Sequence, residues 1–147
     1  MIHCHRVTAP DTLQKIYALR SQVFVEEQGI ALESEVDLHD SQAIHVVAYN
    51  GIGQVVATGR LLPSENDQAK IGRVAVKRSL RGTGLGTGVL RALQALAAQR
   101  GDSMVKLHAQ CTSRGFYEKM GYLAYGPVFE EDDLAHIKMS LSLLGGV

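Results

Sequence analysis

Apolar and polar residues along this chain switch between a period of two and a period near 3.6, and the switches mark its elements. Ile2 to Thr8 alternates as a first strand. Thr8-Ala9-Pro10-Asp11 then offers a hydroxyl and, three residues on, an acid, the pattern of a capped helix start. In the helix that follows, Leu13, Ile16, Tyr17, Arg20, Val23 and Phe24 fall on one face. Glu26-Glu27-Gln28-Gly29 ends it, and the polar, weakly periodic segment to Gln42 reads as a short helix and loop over a substrate cleft. Ile44 to Tyr49 and Gln54 to Leu62 are two strands joined at Asn50-Gly51, with Gly53 close behind. Pro63 to Gln68 is a polar turn.

Ile71 to Val76 suits a central strand, and Val89, Leu93, Leu96 and Ala97 recur at helical spacing up to a C-cap at Gly101. Met104 to Ala109 is another strand, Thr112 to Met120 a short helix that Thr112 or Ser113 can cap, and Gly121 closes it. Gly115 within that helix costs about 1 kcal/mol relative to alanine, which a close neighbour would explain. Tyr122 to Phe129 and His136 to Leu143 finish the chain as a strand pair, with His136, Lys138 and Ser140 on one face of the last strand. No linker or repeat interrupts this order, so residues 1–147 read as one α/β domain.

Between the central strand and its helix lies Arg81-Gly82-Thr83-Gly84-Leu85-Gly86-Thr87-Gly88, with glycine at every second position. Such a loop admits backbone conformations closed to other residues, and the helix start adds unpaired N–H donors, so an anion is the natural guest. No lysine follows the glycines as the P-loop pattern requires, and G-x-G-x-x-G fails in each register: Gly84 and Gly86 are followed by Val89, and Gly86 and Gly88 by Arg91.

Composition narrows the partners. Fifteen basic and fifteen acidic side chains cancel, which removes the electrostatic basis of nucleic-acid binding. No apolar run approaches the roughly 18 residues of a membrane span, and the first ten residues lack a signal core. Cys4 and Cys111 imply no disulfide framework, so the cytoplasm is the expected compartment. His3-Cys4-His5 tempts a metal assignment, but alternation splits the cysteine from the histidines, and no metal is expected. Ten of the fifteen acids fall in two stretches, Glu26, Glu27, Glu33, Glu35, Asp37 and Asp40, and Glu130 to Asp133; if both flank one cleft, they attract a cation. Arg20 interrupts an apolar stripe and needs an anionic partner, either a core carboxylate or that of a substrate.

Arg81-x-x-Gly84-x-Gly86, preceded by Val74-Ala75-Val76, resembles the acetyl-CoA pyrophosphate loop of the GNAT superfamily of N-acetyltransferases. A second motif, Phe116-Tyr117-Glu118-Lys119-Met120-Gly121-Tyr122, is similar to another segment of that family, and the order of elements matches it over essentially the whole chain. Arg20-x-x-Val23-Phe24-Val25-x-Glu27-Gln28, Arg60-Leu61-Leu62-Pro63 and Leu107-His108-Ala109-Gln110 resemble its ElaA-like branch, and the run from Thr112 through Met139 the YjcF-like, glyphosate-acetylating branch.

The resemblance implies a mixed, mostly antiparallel twisted sheet of about six or seven strands flanked by helices, with a splayed strand pair holding CoA. It places the pyrophosphate on the backbone of Arg81, Gly82, Thr83, Gly84, Leu85 and Gly86, with Thr87 at the helix start, and the pantetheine arm along Val74, Ala75 and Val76. Phe116, Tyr117 and Lys119 complete the cofactor set. Tyr117 matches the acid that protonates the departing thiolate and His136 the general base; Arg20 and Arg73 match holders of an anionic substrate, while Gln110 stands where those relatives have an arginine. Small relatives also form homodimers through their C-terminal strands.

The chemistry asks for the same residue types. An alkylammonium must lose a proton before attacking a thioester, histidine is poised to accept it, and a backbone N–H suits the developing oxyanion. The expected activity is acetyl transfer from acetyl-CoA to a primary amine of a small molecule, amino-acid-like or polyamine-like, by direct transfer in a ternary complex. His45, His108 and Glu27 are reserve bases, and Glu27 joins Arg20, Arg73 and Gln110 as a substrate-binding candidate. A non-catalytic acyl-CoA sensor with the same fold is the competing expectation.

Overall fold

A computed structural model describes residues 3–144. One seven-stranded sheet runs in the order β1-β2-β3-β4-β5-β7-β6. Its strands are β1 (Cys4–Arg6), β2 (Ile44–Tyr49), β3 (Val55–Leu61), β4 (Gln68–Val76), β5 (Met104–Gln110), β6 (Leu123–Glu131) and β7 (Leu134–Ser142). All neighbours are antiparallel except β4 and β5. The expected first strand is shorter than its sequence pattern, and Ile2 lies outside the described residues. No helix among the described residues is long and apolar enough to cross a membrane.

Helices cover both faces. Helix α3 (Leu85–Gln99) buries Val89, Leu90, Leu93 and Ala97. Leu90 thus takes the buried place expected for Leu96, which is half-buried at the edge of the same cluster. Helix α1 (Thr12–Arg20) passes directly into a π-helical turn over Ser21–Glu27, and Leu19, Val23 and Phe24 pack with Ile30 and Ala75 in a second cluster. Alternation along β4 separates the clusters: Val74 and Val76 pack on the α3 side and Ala75 on the α1 side.

Two expected caps do not form. Helix α1 starts at Thr12, beyond the expected Thr8 cap, and Asp11, which takes the cap position, makes no side-chain cap bond; main-chain bonds from Thr12 and Leu13 to the carbonyls of Ala9 and Pro10 close the entry turn instead. A turn over Cys111–Ser113 leads into α4 (Arg114–Lys119), and Ser113 at its start makes no cap bond either. The close neighbour expected at Gly115 is absent, since nothing lies within 4 Å of the position a Cβ would take. Between α1 and β2 lie the short helix α2 (Leu32–Glu35) and a turn over Leu38–Ser41 that Asp37 caps.

The functional geometry follows from what β4 does after its first three residues. Parallel pairing with β5 covers Gln68, Ala69 and Lys70 and ends at Lys70 opposite Lys106. On its other edge β4 carries a bulge: Thr58 pairs with Ala75 and Arg60 with Gly72, so Arg73 and Val74 face only Gly59. Arg73 takes a left-handed φ of 52°, the local kink that such an insertion demands. The strands therefore diverge, leaving main-chain groups of β4 unpaired toward β5.

Gly59, opposite the bulge, is where α3 comes closest: a Cβ there would lie 2.7 Å from Leu93 Cδ1 and 2.9 Å from Val89 Cγ1. Gly59→Ala is expected to destabilise the fold by about 1–3 kcal/mol through overpacking. A fall in the urea midpoint with an unchanged slope checks it.

Candidate functional site

The divergence opens two cavities on the molecule, of about 580 Å³ and about 550 Å³. They meet at Gln28, Val74, Gln110, Ser113 and Tyr117, which line both. The smaller is a groove running from the free edge of Val74-Ala75-Val76 to the glycine loop, walled by Phe116. Gly82 and Gly84 adopt φ of 80° and 91°, turning the loop so that α3 begins at Leu85 with its first-turn N–H groups toward the groove. Gly86 sits tight at this corner, where a Cβ would approach Phe116 Cζ to 3.4 Å.

These features fit a CoA. The unpaired edge of β4 can pair with the amides of an extended arm, and the loop with its helix start suits a diphosphate. Of the expected cofactor residues, Val74, Ala75, Val76, Arg81, Gly82, Gly84, Leu85, Gly86, Thr87, Phe116 and Tyr117 line the groove. Thr83 and Lys119 do not: the Thr83 hydroxyl donates to the Leu80 carbonyl, and Lys119 is exposed at the end of α4. Arg81 is engaged by Glu27 at 2.8 Å and donates to the Val76 carbonyl.

The larger cavity is a polar cleft on the other side of this neck. Its wall on the β5–β7 side presents His108, Gln110 and His136, all on the sheet face away from α3, because the intervening Leu107, Ala109 and Ile137 belong to the core. Glu131 and Asp132 close one end, and Arg73, Glu35 and Asp37 stand on the opposite wall. Both acidic stretches thus reach one cleft, as the sequence suggested.

The first stretch is nevertheless spoken for. Arg20 is fully buried, and Glu35 and Asp40 both accept from it, the latter at 2.7 Å from Nη1. Arg60 donates to Asp37 at 2.7 Å and to Asp40 at 3.0 Å. Arg73 donates to the carbonyls of Glu35 and Ser34 and reaches Asp37 at 3.3 Å. Three guanidinium groups and three carboxylates form one neutral network beneath the cleft. The expectation that Arg20 binds substrate is corrected: its partners are core carboxylates, and it does not line the cavity. Glu27 is likewise not brought to the cleft, being bound to Arg81 beside the groove. His45 is buried against the Asp40 carbonyl at 3.0 Å, which removes it as a reserve base.

Sequence reasoning overlooked the roles of Asp37, Asp40 and Arg60 in this network. Its sequence trace was Arg60 as the one charged residue of the strand Val55–Leu61, a second interior guanidinium needing an anion. Burial works against the charge on Asp40, but bonds from Arg20, the Asp37 N–H and Arg60 outweigh it and hold the carboxyl down to about 2. The bond from Arg60 likewise lowers Asp37.

At the neck, Tyr117 packs edge-on against Phe116 and Tyr122, and burial pushes its hydroxyl up to about 12. His136 is 5% exposed, and its Nδ1 lies 2.7 Å from the Leu134 carbonyl. A carbonyl only accepts, so Nδ1 carries the proton and Nε2 presents its lone pair. Among the described residues no cluster of histidine, cysteine or acidic side chains could hold a metal ion.

A groove that suits an acyl-CoA, set beside a polar cleft, fits the class of acyl-CoA-dependent transferases. Residues 9–143 match the acetyltransferase (GNAT) domain, and the chain belongs to that family of acetyltransferases. It is 32% identical over 130 residues to the uncharacterized N-acetyltransferase YjcF of Bacillus subtilis, with 88% of this chain and 91% of that protein covered. It is 30% identical over 145 residues to ElaA of Escherichia coli, covering 95% and 94%. The crystal structure of E. coli ElaA superposes with a TM-score of 0.83 at 29% identity over 95% of this chain and 99% of that one. An acyl-CoA N-acyltransferase from Pseudomonas aeruginosa is similar at 34% identity with a TM-score of 0.82, over 95% and 99%.

The buried network sets a pH response. Asp40 takes its proton near 3.8 when unfolded and near 2 when folded, so its contribution is complete above about 4 and lost as pH falls toward about 2. Stability to urea is expected to drop by about 2 kcal/mol across that window, and Asp40→Asn to flatten the drop. Arg20→Met, which takes from buried Glu35 its close cation and leaves Asp40 to Arg60 alone, is expected to cost about 3–5 kcal/mol at neutral pH in the same assay.

Proposed function

We propose that the protein transfers an acetyl group from acetyl-CoA to the primary amine of a small, amino-acid-like molecule by direct attack in a ternary complex. The observation that carries this reading is the neck. Tyr117 lines both the groove and the cleft, while His136 faces the cleft from the strand beside Gln110.

Acetyl-CoA supplies the activated acyl group and a thiolate that can depart. The chain supplies the rest. Glycine-loop amides and the first turn of α3 hold the diphosphate, and the free edge of β4 aligns the arm. A main-chain N–H of the Val74–Val76 stretch donates to the carbonyl oxygen as it gains charge. His136 Nε2 receives the proton of the incoming ammonium. Tyr117 Oη, kept protonated by burial, donates to the sulfur and regains a proton from the nitrogen as that becomes the amide. Neither Cys4 nor Cys111 lines the groove or the cleft, which supports transfer without a covalent enzyme intermediate.

The cleft carries both signs of charge. Arg73 and Gln110 offer donors to an anionic or polar group, and Glu131 and Asp132 supply negative potential at the other end. An amine that also bears a carboxylate meets both, whereas a polyamine would leave Arg73 unused. Arg20 and Glu27, committed elsewhere, have no part in this reading.

Thiol release over a panel of amines tests the function: amine-dependent release with mass-confirmed acetylated product is expected, and CoA binding without it would support the sensor instead. Tyr117→Phe is expected to lower kcat by about 10²-fold with the KM for acetyl-CoA little changed. Because the Tyr117 hydroxyl stays protonated up to about 12, its loss should lower the rate throughout pH 6–10 without reshaping the profile.

A further inference from the structure

The β6–β7 hairpin holds His136 from two sides. Its turn puts Asp132 at φ 52° and Asp133 at φ 60°, the mirror-image two-residue turn that closes hairpins tightly. This makes Glu131 and Leu134 the last facing pair. The Leu134 carbonyl accepts a hydrogen bond from His136 Nδ1, while Glu131 Oε2 lies 3.7 Å from Nε2, an ion-pair distance too long for a hydrogen bond. The other carboxylate oxygen, Oε1, lies 3.2 Å from His108 Nδ1 on β5. Phe129 fills the space between the imidazoles, stacked on His136 at 5.8 Å and edge-on to His108 at 5.1 Å. Glu131, His108 and His136 all line the acceptor cleft.

We propose that Glu131 is a positioning residue for the transfer: it stabilises the proton that His136 Nε2 acquires, and His108 anchors its carboxylate. The inference rests on His136 being the base. With Nδ1 committed to Leu134, the Nε2 lone pair faces a carboxylate, and two electron-rich atoms in that arrangement gain most when a proton arrives between them. Glu131 is 44% exposed on its side chain, so unaided it would spread over several rotamers. The N–H of His108 removes that freedom by binding the oxygen that His136 does not use. Asp132 shares the cleft end, and Arg60 and Arg73 stand across it, tied to Asp37 and to main-chain carbonyls. Glu131 is therefore the carboxylate nearest the reacting nitrogen.

Amine-dependent thiol release with the full-length enzyme at saturating acetyl-CoA tests this, with circular dichroism melts confirming that each variant folds. Glu131→Gln is expected to lower kcat about threefold to tenfold, the range of a partly exposed ion pair, with the amine KM within about twofold of the parent. In a His136→Gln background the same change should cost nothing more, since Glu131 acts only through that ring. His108→Gln should cost a smaller factor that vanishes once Glu131 is Gln, and Glu131→Asp should fall between parent and Glu131→Gln. A raised amine KM with unchanged kcat would assign Glu131 to the substrate ammonium and overturn the proposal, as would losses that multiply in the double variants. Full turnover in His136→Gln would remove the base reading and this inference together. A large loss in His136→Gln beside an unaffected Glu131→Gln would sink the inference alone.

Discussion

Two strands that begin side by side and then stop pairing are the constraint from which the rest of this molecule follows. Beyond Lys70 and Lys106 no ladder joins β4 to β5, although each remains paired on its other edge. Exposed main-chain donors and acceptors at a sheet's centre are costly unless something satisfies them. Here the edge without a β5 partner runs from Ile71 to Val76, and its last part, Val74 to Val76, supplies the polar edge along which an extended ligand arm can lie. The bulge across from Gly59 bends β4, and α3, pressed onto Gly59 through Leu93 and Val89, holds the bend from behind. Groove and cleft are the two ends of that opening.

A second constraint keeps the opening in shape. The segment from Ala31 to Gln42 has few apolar side chains to bury: Leu32 and Leu38 are exposed, and its buried residues are Glu35 and Asp40. It is fastened instead by arginines from α1, β3 and β4. Ion pairs of this kind add little net stability against a well-packed apolar alternative, yet they are very costly to break singly. Their effect is to fix the cleft wall in one register, with Arg73 held at the mouth by main-chain carbonyls. The neutrality of the network also leaves the field in the cleft to be set by the hairpin end, where Glu131 and Asp132 stand near His136.

The candidate site sits where the two halves of the sheet meet. Tyr117 arrives on a short helix after β5, Gln110 and His136 sit directly opposite each other on β5 and β7, and Gln28 reaches across from the α1 side to accept a bond from Gln110 at 2.7 Å. That bond spans the open mouth of the diverging strands, while Ser64, Asp67, Arg100 and Asp102 join the halves at the closed base.

Local pattern was enough for most of the fold. The strand at Ile44–Tyr49 was legible to the residue as a β-branched, apolar run bounded by the Asn50-Gly51 turn, the glycine loop pointed to an anion because alternate glycines before an amphipathic helix have few other uses, and the two motifs around Gly84 and Tyr117 identified the family. Such features depend on residues near one another in the chain. What only tertiary structure decided depends on distant ones. Arg20 looked equally ready for a substrate or a core acid until the fold set Glu35 and Asp40 against it. Glu27 went to Arg81 for the same reason, fifty-four positions away. The helix start at Thr12, the π-helical turn after Arg20 and the β4 bulge carry weak local signals, because packing against the sheet rather than propensity selects them. The pairing of Glu131 with two histidines belongs to this class: a hairpin turn and a neighbouring strand bring the three together, and no periodicity along the chain encodes that meeting.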